Sequence, residues 1–100
     1  MEKAKPTHSL VAIKAEFSTV EALRITVIGR TEAARLGIFD VEIIEVIQSL
    51  TRSNFYKSMT TLRDHTIWQD VYHVGFRSLV LYVKFSREAA GHIVVSFKEK

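Results

Sequence analysis

Near the C-terminus two runs of residues alternate in character. From Ser78 to Ser86, Leu79, Leu81, Val83 and Phe85 take one side, while Val80, Tyr82 and Lys84 take the other. From His92 to Lys98, Ile93, Val95 and Phe97 oppose His92, Ser96 and Lys98. Period-two alternation belongs to half-buried antiparallel strands, and Arg87-Glu88-Ala89-Ala90-Gly91 reads as the loop joining them into a hairpin. With the loop centred near Ala89, Tyr82 faces Ser96 and Lys98 lies diagonal to Tyr82, at about 7–8 Å, within reach of long side chains. A phenol able to give a proton and an ammonium ion able to hold an anion then share one solvated face. The same pair also reads as a snorkelling lysine beside an exposed tyrosine.

Other site types find little support. The chain has no cysteine, which removes disulfides, thiolate nucleophiles and cysteine-based zinc sites together. His8, His65, His73 and His92 lack the short pairings of metal sites, so no metal is expected. Asp64-His65 has no nucleophile elbow to serve. Gly29, Gly37, Gly75 and Gly91 are isolated. No glycine-rich phosphate loop exists, and no nucleotide cofactor is expected.

One hundred residues, 47% hydrophobic and 25% charged, make a single globular domain spanning residues 1–100. Net charge is +3 and is uneven. Residues 1–50 carry six Lys/Arg against seven Asp/Glu, and residues 51–100 carry eight against four. The cationic surplus therefore lies in the half that holds Tyr82 and Lys98, as expected if a polyanion docks there. No apolar run approaches the roughly 20 residues of a membrane span. The charged opening lacks the apolar core of a secretory signal. A cytoplasmic protein without membrane contact is the expectation.

The elements that must carry these residues fall into two groups. Residues 1–7 are charged or polar and are expected to fray. Leu10, Ile13 and Phe17 recur at helical spacing. Leu23-Ile25 suggests a short strand, followed by a helix ending at Leu36 with Gly37 as its stop. Asp40 is placed to cap the best helix, in which Ile43, Ile47 and Leu50 form an apolar stripe widened by Ile44 and Val46. After Leu50 the period changes from helical to two, with further strands expected near residues 55–60 and 66–76. The fold class is α+β, with N-terminal helices packed on a C-terminal antiparallel sheet.

One longer pattern bears on function. Asn54-Phe55-Tyr56-Lys57-Ser58-Met59-Thr60-Thr61 is followed by Asp64-His65-Thr66-Ile67-Trp68-Gln69-Asp70-Val71-Tyr72. The chain closes on Ile93-Val94-Val95-Ser96-Phe97-Lys98-Glu99-Lys100. In these runs, in the opening Met1-Glu2-Lys3 and in the placing of Leu36-Gly37, the sequence resembles the motility quorum-sensing regulator (MqsR) family of mRNA interferase toxins. The resemblance implies a RelE-like toxin fold and sequence-selective cleavage of single-stranded mRNA without the ribosome. It also implies a cognate antitoxin with a zinc-binding N-terminal region and a helix-turn-helix region, operator DNA being reached only through that partner. By motif, the family's active-site residues fall on Lys57, Gln69, Tyr82 and Lys98, with Tyr56 as an RNA contact. Lys84, Arg77 and His73 complete the expected RNA contacts. Two departures touch substrate positioning: His73 stands where the family carries arginine, and the loop from Ser86 to Gly91 is one residue longer.

The chemistry so implied is attack of a ribose 2′-hydroxyl on the adjacent phosphate. Lys98 would stabilise the phosphorane. Lys57 would share that task, or act as base if the charge of Lys98 depresses its pKa. Gln69 would orient the substrate and Tyr82 would donate a proton or hydrogen bond at the leaving oxygen. The chief rival is a basic RNA- or DNA-binding module without chemistry, which explains the charge asymmetry equally well but gives the Lys/Gln/Tyr/Lys set no reason to exist. A second is a structural or regulatory protein whose basic face docks an acidic partner.

Overall fold

A computed structural model describes all residues from Met1 to Lys100. Five antiparallel strands follow one another across a single sheet: β1 (Glu2–Lys3), β2 (Phe55–Thr60), β3 (Trp68–Phe76), β4 (Leu79–Arg87) and β5 (Ile93–Glu99). Three helices, α1 (Leu10–Glu16), α2 (Val27–Arg35) and α3 (Asp40–Ser49), precede β2. The α+β class and the order of helices and sheet are as the patterning predicts. No helix is long and apolar enough to cross a membrane.

The helices cover one face of the sheet. Ile13 and Phe17, Ala33, Ile38, Ile43, Val46, Ile47 and Leu50 meet Tyr72, Val74, Leu81, Val83, Phe85, Ile93, Val95 and Phe97 in one buried cluster. β3, β4 and β5 contribute alternate residues to it, as pleating requires, and Phe55 of β2 packs against it. Tyr72 is fully buried at its centre, edge-on to Phe55 and Phe85.

Four details differ from the sequence reading. Residues 1–7 do not fray. Buried Asp70 accepts backbone hydrogen bonds from Thr7 (3.0 Å) and His8 (2.8 Å), and the N-terminal amine donates to Thr60 Oγ1 at 3.0 Å. These bonds satisfy polar groups on the covered face, so β1 pairs with β2. The strand expected at Leu23-Ile25 is a single parallel bridge, Ile25 beside Val95. Thr26 cuts it short by capping α2, its hydroxyl accepting from Gly29 N–H at 3.0 Å.

At α3, Asp40 is the first helical residue and not the cap. The Glu42 carboxylate reaches back to Phe39 N–H at 2.9 Å, while Asp40 pairs with Arg30. The hairpin turns one residue later than expected, so Tyr82 pairs directly with Lys98 and Lys84 with Ser96. β4 runs on to Arg87, and Gly91, at φ +94°, makes the turn that follows.

The seating of α2 on β5 depends on one glycine. A Cβ at Gly29 would stand 2.9 Å from both Phe97 N and Ser96 Cα. Gly29→Ala improves helix propensity by about 1 kcal/mol, but the forced separation costs about 1–3 kcal/mol. Net destabilisation with a lowered thermal midpoint is expected, and a raised midpoint would show that α2 sits free of β5.

Tyr72 makes a second prediction. Its hydroxyl is buried without a hydrogen-bond partner, and burial pushes the phenol up to about 12. Above the ordinary tyrosine value of about 10 the unfolded chain releases this proton and the folded chain keeps it. Stability from neutral Tyr72 is therefore whole below pH ~10 and lost as pH climbs towards the folded value. Tyr72→Phe is expected to hold or raise stability at pH 7 and to flatten the alkaline fall in denaturant midpoint. A loss above about 1 kcal/mol at pH 7 would reveal a hydrogen bond at that hydroxyl.

Candidate active site

The face of the sheet turned away from the helices carries the residues of interest, arranged by register. One row runs His73, Tyr82, Lys98; the next runs Lys57, Val71, Lys84, Ser96; a third runs Met59, Gln69, Ser86, Val94. Strands lie about 4.8 Å apart and successive rows about 6.7 Å apart. A groove of about 280 Å³ crosses these rows, lined by Tyr56, Lys57, Met59, Val71, Tyr82, Lys84 and Lys98.

Tyr56 and Lys57 are neighbours in sequence, and regular pleating would send them to opposite faces. A β-bulge between Phe55 and Lys57 prevents that. Phe55 still reaches the core against Tyr72, and Ser58 is buried on the covered side. The extra residue, Tyr56, lies over His73 on the open face, ring centroids 4.4 Å apart. His73 in turn meets Tyr82 edge-on at 4.6 Å. Burial first, and then the charge of Lys100, pull the imidazole below its usual pKa, so His73 is a neutral spacer between two phenols. An arginine there would bring charge in place of that stacking.

The lysines have different surroundings. Lys57 Nζ donates to Glu2 Oε2 at 2.7 Å, and this hydrogen bond holds its pKa above the ordinary lysine value. Depression by Lys98, the condition for Lys57 to act as base, does not occur there. It falls instead on Lys84, whose pKa is lowered by burial and then by the charge of Lys98. Lys84 and Lys98 enter no ion pair. The groove thus holds one lysine paired with a carboxylate, one exposed lysine, and one half-buried lysine whose pKa is lowered.

Of the other expected residues, Gln69 shares the open face but sits in the third row, opposite Met59 and Ser86, outside the groove lining. Arg77 is not at the site. It occupies the β3–β4 turn at φ 51°, lies over the Phe76 ring and donates to the Gly37 carbonyl. Glu2 was missed by the sequence reading, because its role depends on β1 pairing and no local pattern marks it. His8 and His92 are engaged elsewhere, with the Trp68 carbonyl and with Glu88.

These features define a class: a small α+β protein whose sheet gives one face to its helices and offers the other, cationic and aromatic, to an anionic chain molecule. Comparison with known proteins narrows it. The family model described as motility quorum-sensing regulator, toxin of MqsA, matches residues 5–99. The mRNA interferase toxin MqsR of Escherichia coli (strain K12) is 39% identical over 100 residues, covering 100% of both chains. The chain belongs to the MqsR toxin family.

The Glu2–Lys57 contact yields a prediction. Glu2→Gln removes the negative charge that favours protonated Lys57, so the Lys57 pKa is expected to fall. Titration of the Lys57 side-chain resonances by NMR measures this directly. An unchanged value would mean that the ion pair does not persist in solution.

Proposed function

We propose that this chain is an mRNA interferase, the toxin of a toxin–antitoxin pair, acting as a metal-independent endoribonuclease on single-stranded mRNA in the cytoplasm. The observation that carries this reading is the meeting of Lys57, Lys84 and Lys98 with Tyr82 in one groove of the open face. Membership of a toxin family with an mRNA interferase relative supports it. Its partner is an MqsA-type antitoxin, with a zinc-binding N-terminal region and a helix-turn-helix region through which operator DNA is reached.

In the proposed reaction the ribose 2′-oxygen forms a bond to the adjacent phosphorus as the bond from phosphorus to O5′ breaks. The products are a 2′,3′-cyclic phosphate and a 5′-hydroxyl. One proton leaves the 2′-hydroxyl and one is delivered to O5′. Lys98 and Lys57 hold positive charge beside the phosphorane; one such well-placed donor is worth about 2.7–4 kcal/mol. Glu2 fixes Lys57 in place by its 2.7 Å hydrogen bond and raises its pKa further above the ordinary lysine value. Lys84, which lines the groove and has its pKa lowered by burial and by the charge of Lys98, takes the 2′-hydroxyl proton. The Tyr82 phenol, in the same groove, faces the leaving oxygen as donor. Gln69 cannot transfer a proton at neutral pH, and from the third row it orients a flanking part of the substrate.

Single-turnover cleavage of a short single-stranded RNA in chelator tests this. Lys98→Ala is expected to lose about 10²–10³-fold in rate, while binding of an uncleavable 2′-deoxy strand falls only as for one lost phosphate contact. Lys84→Arg keeps the cation but titrates only above about pH 12, so it is expected to bind RNA normally and cleave it poorly at neutral pH. Binding without cleavage by the wild-type protein would make the chain an RNA-binding module. Cleavage abolished by chelator would bring in a metal.

A further inference from the structure

Lys84 and Lys98 line a second depression as well as the groove. On their far side lies a hollow of about 330 Å³, walled by Ile28 and Glu32 of α2 and floored by Ser96 and Phe97 of β5. The two hollows have no lining residue in common besides these two lysines. The lysines therefore form a cationic ridge with a recess on either side.

The wall of this second recess is firmly placed. Thr26 Oγ1 donates to Ser96 Oγ at 3.1 Å while accepting from Gly29 N–H, so the start of α2 is tied to β5. The glycine lets the helix backbone approach the strand closely. Ile28 is thereby held at the rim, 80% exposed, where a polar residue is the usual occupant of a helix surface. Glu32 stands one turn further on, its carboxylate bound by Arg35 at 2.6 Å. Apolar wall, cationic ridge and acceptor carboxylate follow in sequence around the recess.

We propose that this recess is a second nucleotide subsite, so that RNA crosses the Lys84–Lys98 ridge with one nucleotide in the groove and the next against Ile28. This deepens the reading of the open face as an RNA site and rests on it. The phosphate between the two nucleotides lies on the ridge, where the two unpaired lysines meet it. The base of the second nucleotide packs its flat face on Ile28, as unstacked bases do on apolar side chains, and turns hydrogen-bond donors of its edge towards Glu32. At about 330 Å³ the recess is at the small end of ligand sites, which run from about 300 to 1,000 Å³, and takes a single nucleoside. The occupant is an RNA base because the ridge that bounds the recess also bounds the groove.

The test couples the protein to the substrate position by position. Binding of an uncleavable 2′-deoxy strand is measured for the wild-type protein, Ile28→Asp and Val27→Asp, with strands made abasic at one position at a time. Val27, 83% exposed in the same turn and outside the recess, receives the same charge without touching the site. Both positions are exposed, so both variants are expected to fold. In the wild type, one abasic position beside the scissile phosphate is expected to weaken binding by about five- to tenfold, the low end for a lost base stack. Ile28→Asp is expected to weaken binding of the intact strand similarly and to show no further loss at that position. Val27→Asp is expected to keep the full abasic penalty. Equal losses for Ile28→Asp and Val27→Asp, or abasic penalties that simply add to the Ile28→Asp loss, would overturn the subsite. So would an Ile28→Asp protein that binds RNA normally and fails only to bind the antitoxin. Cleavage is scored separately: a protein that binds but does not cut refutes the nuclease reading and leaves the subsite measurable.

Discussion

The pleat of the sheet is the constraint on which the rest depends. Side chains on β3, β4 and β5 alternate between two environments, and the helices leave no freedom over which set goes inward. Leu81, Val83 and Phe85 are buried in the cluster that the helices share with the sheet, which forces Tyr82 and Lys84 outward. The same holds for Lys98 between Phe97 and Glu99. Burying one large apolar side chain contributes about 1.5–3 kcal/mol. A one-residue slip would forfeit several such terms at once and turn the lysines into the core. The open face is held in order by packing on the other side of the sheet.

That open face accumulates positive charge with little relief inside the protein. Lys57 has Glu2, while Lys84 and Lys98 enter no ion pair, and the charge of Lys98 acts on both Lys84 and Glu32. Like charges set near one another on a half-buried surface are an arrangement a phosphate chain would relieve. The aromatic run of Tyr56, His73 and Tyr82 beside them adds flat surfaces suited to bases. His73, its pKa lowered by burial and by the charge of Lys100, stands in the middle of that run.

The N-terminal segment joins the two faces. Asp70 on the covered side collects the backbone of Thr7 and His8, and Thr60 collects the N-terminal amine. Between these anchors β1 is laid beside β2, and Glu2 emerges on the open side at Lys57. Buried polar groups on one face thus place the carboxylate that raises the pKa of a lysine on the other. Membership of the MqsR toxin family fits this construction, in which a chain of only 100 residues must serve both as scaffold and as site.

Much was legible in the residues themselves. Period-two alternation placed β4 and β5 and put Tyr82, Lys84 and Lys98 together, because pleating is a local property that needs no knowledge of the partner strand. The apolar stripe of α3 was readable for the same reason, its period being intrinsic to the helix. The tertiary structure alone decided the hairpin register that sets Tyr82 opposite Lys98, since loop conformation at Gly91 and pairing energy fix it jointly. It alone decided the bulge that turns Tyr56 and Lys57 to one face, because Phe55 had to reach Tyr72 while Ser58 stayed buried. It drew Arg77 away to Gly37 and left Gln69 outside the groove lining. Glu2 was invisible in the sequence because its environment comes from residues more than fifty positions away. Spacing along one strand carries no record of such contacts.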